Sequence, residues 1–190
     1  MRPVAILIVL AGCALAPLEG ERTDAVLYGG DDRMPLDPAI HPELSETLAA
    51  LVPSERLTID GERVSLAATT LAERLGGPLC EGERFATELS LSECSAVLVE
   101  GDAVLTAAHC VPTDAACDAL RVVFGYRRVD GTLAPVAADQ VFRCVAREDE
   151  RPALDRLRLR LDRDTARTPM PLGRAAAGDR ASPASARSRR

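Results

Sequence analysis

The chain has no tryptophan and no lysine, and aromatic residues make up only 3% of its 190 positions. A core without large rings has to be filled mostly by Ala, Val and Leu, and side chains of that size favour a sheet-rich interior. An excess of basic charge is also missing. With 23 basic against 29 acidic residues, a net charge of −6 and a pI of about 5.0, nothing suggests a nucleic-acid partner. Every basic residue is Arg, which beside so much Ala reflects a GC-rich coding bias rather than an anion site. The length allows one domain of ordinary size and excludes two large ones. No internal repeat appears. Histidine is scarce: only His41 and His109 could supply an imidazole.

What is present centres on the stretch from Cys94 to Cys110. Two short apolar runs, Ala96 to Val99 and Val104 to Ala107, flank Gly101-Asp102, the pattern of a tight β-hairpin or of neighbouring strands. If those strands pair, the cysteines at their outer ends come within disulfide range, and such a bond would fix His109 beside it. Leu120 to Gly125 is a β-branched and aromatic run stopped by glycine, hence a strand; Ala138 to Val145 is expected to be another. Leu157, Leu159 and Leu161 alternate with Arg158 and Arg160, giving a strand with one dry and one wet face. Regularly spaced short strands argue an all-β barrel or sandwich. Upstream, Glu19 to about Pro78 is polar and broken by Pro35, Pro38, Pro42 and Pro53. Within it Ser45 to Leu51 and Val64 to Leu75 fit either strands or short helices.

Leu105-Thr106-Ala107-Ala108-His109-Cys110, with Cys94-Ser95-Ala96 upstream, resembles the histidine segment of trypsin-like (chymotrypsin-fold) serine proteases. The resemblance implies that Cys94 pairs with Cys110 and that His109 is the general base. It departs at Ala96, where the family usually has Gly. Val26 to Arg33 is similar to the start of the mature chain in glutamyl-endopeptidase-like members. In the family the acidic triad residue heads a strand like that of Leu157 to Leu161. Asp155 stands there, 46 positions after His109, where the triad template has about 45. Asp149 and Asp162 are the other candidates, and Leu157 stands where the family prefers a small residue. The fold implied is a single six-stranded antiparallel barrel, the N-terminal half of the two-barrel trypsin-like fold, over residues 79–172, with no cofactor or metal.

At the N-terminus, Arg2 followed by the apolar run Val4 to Leu10 has the shape of a secretory signal over residues 1–18, too short for a membrane span. Leu10-Ala11-Gly12-Cys13 resembles the lipobox of bacterial lipoproteins, which implies lipidation of Cys13 and attachment to a membrane; ordinary cleavage near Ala16 is the alternative. Either way the protein is expected to be exported, as a periplasmic-face or outer-membrane lipoprotein or as a secreted chain. In an oxidising compartment Cys117 and Cys144 are reasonable partners on adjoining strands, which leaves Cys80 unpaired. Residues 19–78 are expected to be a pro-region.

A triad needs a serine, and the template places it about 90 residues after the Asp. No segment of the 190 residues resembles the family's Gly-Asp-Ser-Gly or Gly-Asn-Ser-Gly signature. From Leu172 onward the composition shifts to Ala, Arg, Ser, Gly and Pro, so residues 173–190 are expected to be a disordered tail. Three functions follow as expectations: an inactive member of the protease family shortened after its first barrel; an exported lipoprotein that reuses one barrel to bind a protein partner; or half of a split enzyme acting on polypeptides. The nucleotides downstream of Arg190 would separate them, since a serine signature encoded there favours the first.

Overall fold

The computed structural model describes residues 38–173 except 78, 80–82, 84, 93, 130 and 131. The expectations for Cys13, Cys80, the signal, Val26 to Arg33 and the tail lie outside the described residues. The chain divides into two compact units. In one of them, Thr69–Thr70 pairs with Leu89–Ser90 around the short helix Leu71–Arg74. That helix starts at a capping box: the Thr70 hydroxyl accepts the Glu73 N–H at 3.2 Å, and the Glu73 carboxylate accepts the Thr70 N–H at 2.7 Å. Val64 to Leu75, open between strand and helix in the sequence, is therefore strand at Arg63–Leu66 and Thr69–Thr70 and helix at Leu71–Arg74.

The other unit is a closed six-stranded antiparallel barrel. Its strands are β1 (Leu48–Pro53), β2 (Cys94–Glu100), β3 (Ala103–Thr106), β4 (Leu120–Phe124), β5 (Val141–Arg151) and β6 (Arg156–Leu161). Around the barrel they run in the order β1, β2, β3, β6, β5, β4 and back to β1. Closure leaves none of the six with an unpaired edge.

The barrel begins earlier than residue 79. Leu48–Pro53, expected in a pro-region, pairs with β2 on one side and β4 on the other. The reason is double burial. Ala49 and Leu51 point into the barrel, whereas Ala50 and Val52 join a second apolar cluster with Val123 and Val141 that the hairpin Leu57–Asp60 and Arg63–Leu66 packs against. A strand covered on both faces needs no polar alternation, so its sequence cannot be told from a short buried helix by pattern alone. β5 starts at Val141 rather than Ala138, because Ala138–Gln140 forms a single turn of 3-10 helix first.

The barrel interior matches the composition. Leu98, Val104, Val122, Leu157 and Leu159 are fully buried there, with Phe124 and Phe142 meeting edge-to-face at 5.6 Å between ring centres. Arg163 and Arg167 lay their guanidinium groups over these two rings, at 4.1 and 4.9 Å from the centroids. Leu157, where a smaller residue is usual, is wholly buried, and so is Ala96. On the wet face of β6, Arg158 pairs with Glu100 and Glu148, and Arg160 with Glu148 and Asp102.

The β2–β3 turn is held by a close approach. A Cβ on Gly101 would lie 2.1 Å from an Asp164 carboxylate oxygen, and the Gly101 carbonyl accepts the Thr165 N–H at 2.8 Å. This ties the hairpin that leads to His109 to the chain following β6.

Candidate active site

His109 sits in the middle of a one-turn 3-10 helix, Ala108–Cys110, directly after β3. The turn is fixed at each end. Val111, which follows it, is fully buried, and its carbonyl accepts Arg147 Nε at 2.9 Å. Ala108, which starts it, is also buried and donates its N–H to the Asp155 carbonyl at 3.0 Å.

Asp155 meets this turn from the head of β6. It follows the 3-10 turn Pro152–Leu154 in the left-handed conformation, with φ of 46°, which Asp adopts more readily than most residues. That geometry turns both its carbonyl and its carboxylate towards the histidine segment. One carboxylate oxygen accepts the His109 backbone N–H at 3.0 Å, and the other lies 2.5 Å from ring Nδ1. The backbone N–H first, and then the ring, hold the Asp155 carboxyl below the usual range. An ionised carboxylate can only accept, so Nδ1 is the protonated nitrogen in this contact, and in the neutral ring the lone pair is on Nε2. Both side chains remain open to solvent, at 71% exposure for His109 and 51% for Asp155.

The other acidic candidates lie elsewhere. Asp149 pairs with Arg151 and Arg156. Asp162 binds the Arg143 backbone N–H at 3.0 Å and its side chain at 3.1 Å; burial opposes ionisation there, and these bonds outweigh it, leaving the carboxyl lowered.

Cys94 and Cys110 form a disulfide with Cα atoms 6.1 Å apart, which links the start of β2 to the residue after His109. A ring nitrogen of His109 and the two sulfurs all lie within 4.8 Å of one another. Cys117 and Cys144 form a second disulfide, but they do not lie on adjoining strands. Cys117 belongs to the short helix Asp114–Asp118, whose N-cap Thr113 accepts the Ala116 N–H at 3.1 Å. The bond therefore pins that helix to β5. Sequence reasoning missed Arg147, which is largely buried, ties β5 to the chain after His109 through Val111 and Asp114, and pairs with Glu150 of its own strand. Its only sequence signal was an Arg at an alternating position of a strand.

Beside the disulfide opens a cleft of about 440 Å³ lined by Leu51, Pro53, Leu120, Ala116, Cys94 and Cys110, with His109 and Glu55 also on its wall. The arrangement can take up a proton at Nε2 and stabilise the resulting imidazolium through Asp155. No curated protein and no solved structure matches the chain. The family model described as Trypsin matches residues 76–184, more than half of the 190, and this match covers the histidine turn, the aspartate and five of the six barrel strands. The chain therefore belongs to the trypsin family.

Proposed function

We propose that these residues supply the base and the orienting carboxylate of a serine-type endopeptidase, with His109 as general base and Asp155 as its partner. The observation that carries the reading is the two-point contact of the Asp155 carboxylate with His109, at 3.0 Å to the backbone and 2.5 Å to the ring. Fixing the tautomer and the ring together is what a histidine needs to accept a proton from a nucleophile and return it to a leaving amine. The relation to glutamyl-endopeptidase-like members is part of this proposal and rests on Val26 to Arg33 alone.

The nucleophile is not proposed within these 190 residues. Gly178-Asp179-Arg180-Ala181-Ser182 is the nearest text to the serine signature, and it lacks the glycine after a serine that turns the backbone towards substrate. Without the serine there is no acyl-enzyme, and losing an oxyanion-hole donor alone costs about 10²–10³ in rate. Peptide hydrolysis would require a second barrel that brings the serine, the oxyanion hole and the specificity pocket to the exposed face of His109. A polypeptide is the proposed substrate of that complete site.

Export with a signal over residues 1–18 and acylation at Cys13, a pro-region up to about 47, and a tail from 173 complete the proposal. Two disulfides in the described residues support an oxidising compartment. A second reading, an exported lipoprotein using the barrel as a binding module, is favoured by the exposure of the His109 and Asp155 side chains.

The test uses the purified 190-residue polypeptide, a fluorophosphonate probe and a casein-derived peptide mixture. The expected result is no labelling and no turnover above a His109→Ala control. Labelling that disappears in that control would contradict the proposal and direct attention to Ser182.

A further inference from the structure

We propose that the cleft beside the closed Cys94–Cys110 disulfide holds a basic side chain of a bound polypeptide, with Glu55 as the residue that selects Arg or Lys. The inference rests on the reading of His109 as the base of a polypeptide-cleaving site, and it adds the class of residue held next to that base.

The walls of the cleft are fixed by the fold. β1 ends at Pro53, and the 3-10 turn Ser54–Arg56 that follows carries Glu55 onto the wall. The Ser54 N–H donates to the Ala119 carbonyl at 2.8 Å, which ties this turn to the end of the helix Asp114–Asp118. That helix supplies Ala116 to the lining and is pinned to β5 through Cys117. Leu51 and Leu120 are buried and give the cleft an apolar floor, with Pro53 and the disulfide beside them. Of the lining side chains, Glu55 and His109 alone can carry charge.

Charge selects the occupant. Among the described residues no cation pairs with Glu55. The neighbouring arginines are committed to carbonyls: Arg56 donates to that of Leu91 at 3.5 Å, and Arg121 to those of Asp118 and Leu120 at 3.1 and 2.7 Å. The adjoining helix adds Asp118 and Asp114, the second of which lies 3.7 Å from Arg147. An apolar side chain would cover the floor but would take water from the Glu55 carboxylate without replacing it, and an acidic one would be repelled. Arg or Lys meets both parts of the lining, with its methylenes on Leu51, Pro53 and Leu120 and its cation at Glu55. The net charge of −6 also favours the approach of a cationic polypeptide. A basic residue seated there lies against the wall that carries His109, so the base would act beside it.

The test uses the full 190-residue chain with its disulfides intact, labelled with nitrogen-15, and two peptides. One is acetyl-Ala-Ala-Arg-Ala-Ala-amide; the other carries citrulline in place of Arg, which keeps the shape and removes the charge. The expected result is saturable shifts of the Glu55, Cys110, Ala116 and Leu120 amides, with the Arg peptide binding about two- to fivefold tighter, the range of an exposed ion pair. Glu55→Gln should abolish that difference; Glu55 is exposed, so the change leaves the fold intact. Glu62→Gln, in the turn of the Leu57–Asp60 and Arg63–Leu66 hairpin and outside the cleft lining, removes the same charge and should keep the difference. Equal binding of the two peptides, a difference that survives Glu55→Gln, or one lost equally in Glu62→Gln overturns the inference and leaves the polypeptide reading standing. If neither peptide shifts these amides, the inference and the polypeptide reading fall together.

Discussion

Asp155 makes three contacts with one short segment of chain: its carbonyl takes the Ala108 N–H, and its two carboxylate oxygens take the His109 N–H and ring. Because the two carboxylate contacts favour the ionised form, the carboxyl is lowered when folded, and linkage fixes the sign of its effect. The stabilisation is fully present above the unfolded carboxyl's range, near pH 4, and is lost as pH falls through the lower folded value. Asp155→Asn should therefore unfold at a lower urea concentration than the parent at pH 7. The gap should close in strong acid, as followed by circular dichroism. A gap that stays constant from pH 7 into acid would mean that the carboxylate charge contributes nothing to the fold.

Strand β6 shows what a sequence pattern conveys and what it does not. Its alternation of Leu and Arg indicated one dry and one wet face, and the structure buries Leu157, Leu159 and Leu161 while the arginines pair outside. Leu159→Ala should cost about 2–5 kcal/mol in denaturant unfolding, because the closed barrel cannot collapse onto the cavity. Arg158→Ala, on the opposite face of the same strand, should cost under about 1 kcal/mol for each ion pair lost. Equal costs for the two would contradict the assignment of faces. The disulfide from Cys117 to Cys144 closes a separation of 27 residues, so Cys117→Ala with Cys144→Ala should lower stability by about 3–4 kcal/mol. The alternation and the spacing to His109 together lead to Asp155, because both are local facts about one strand. β1 was not legible in the same way: Leu48 to Val52 is apolar on both faces, and only its two distant partners, β2 and β4, make it a strand. Nor could spacing reveal that Cys117 sits on a helix of five residues, whose existence rests on the Thr113 cap and the bond to β5.

At the scale of the molecule, the barrel closes on itself and builds the His109 turn and the Asp155 turn from its own strands. The contact between them comes entirely from residues of this chain, with both side chains facing solvent. The proposed base and its orienting carboxylate therefore meet within this one barrel. Nitrogen-15 NMR of the His109 ring in the 190-residue chain at neutral pH tests this most directly. The account predicts that the neutral form of the ring carries its proton on Nδ1 with Nε2 bare, and that Asp155→Asn loses this preference. A ring protonated at Nε2, or one tautomer distribution shared by parent and variant, would contradict it.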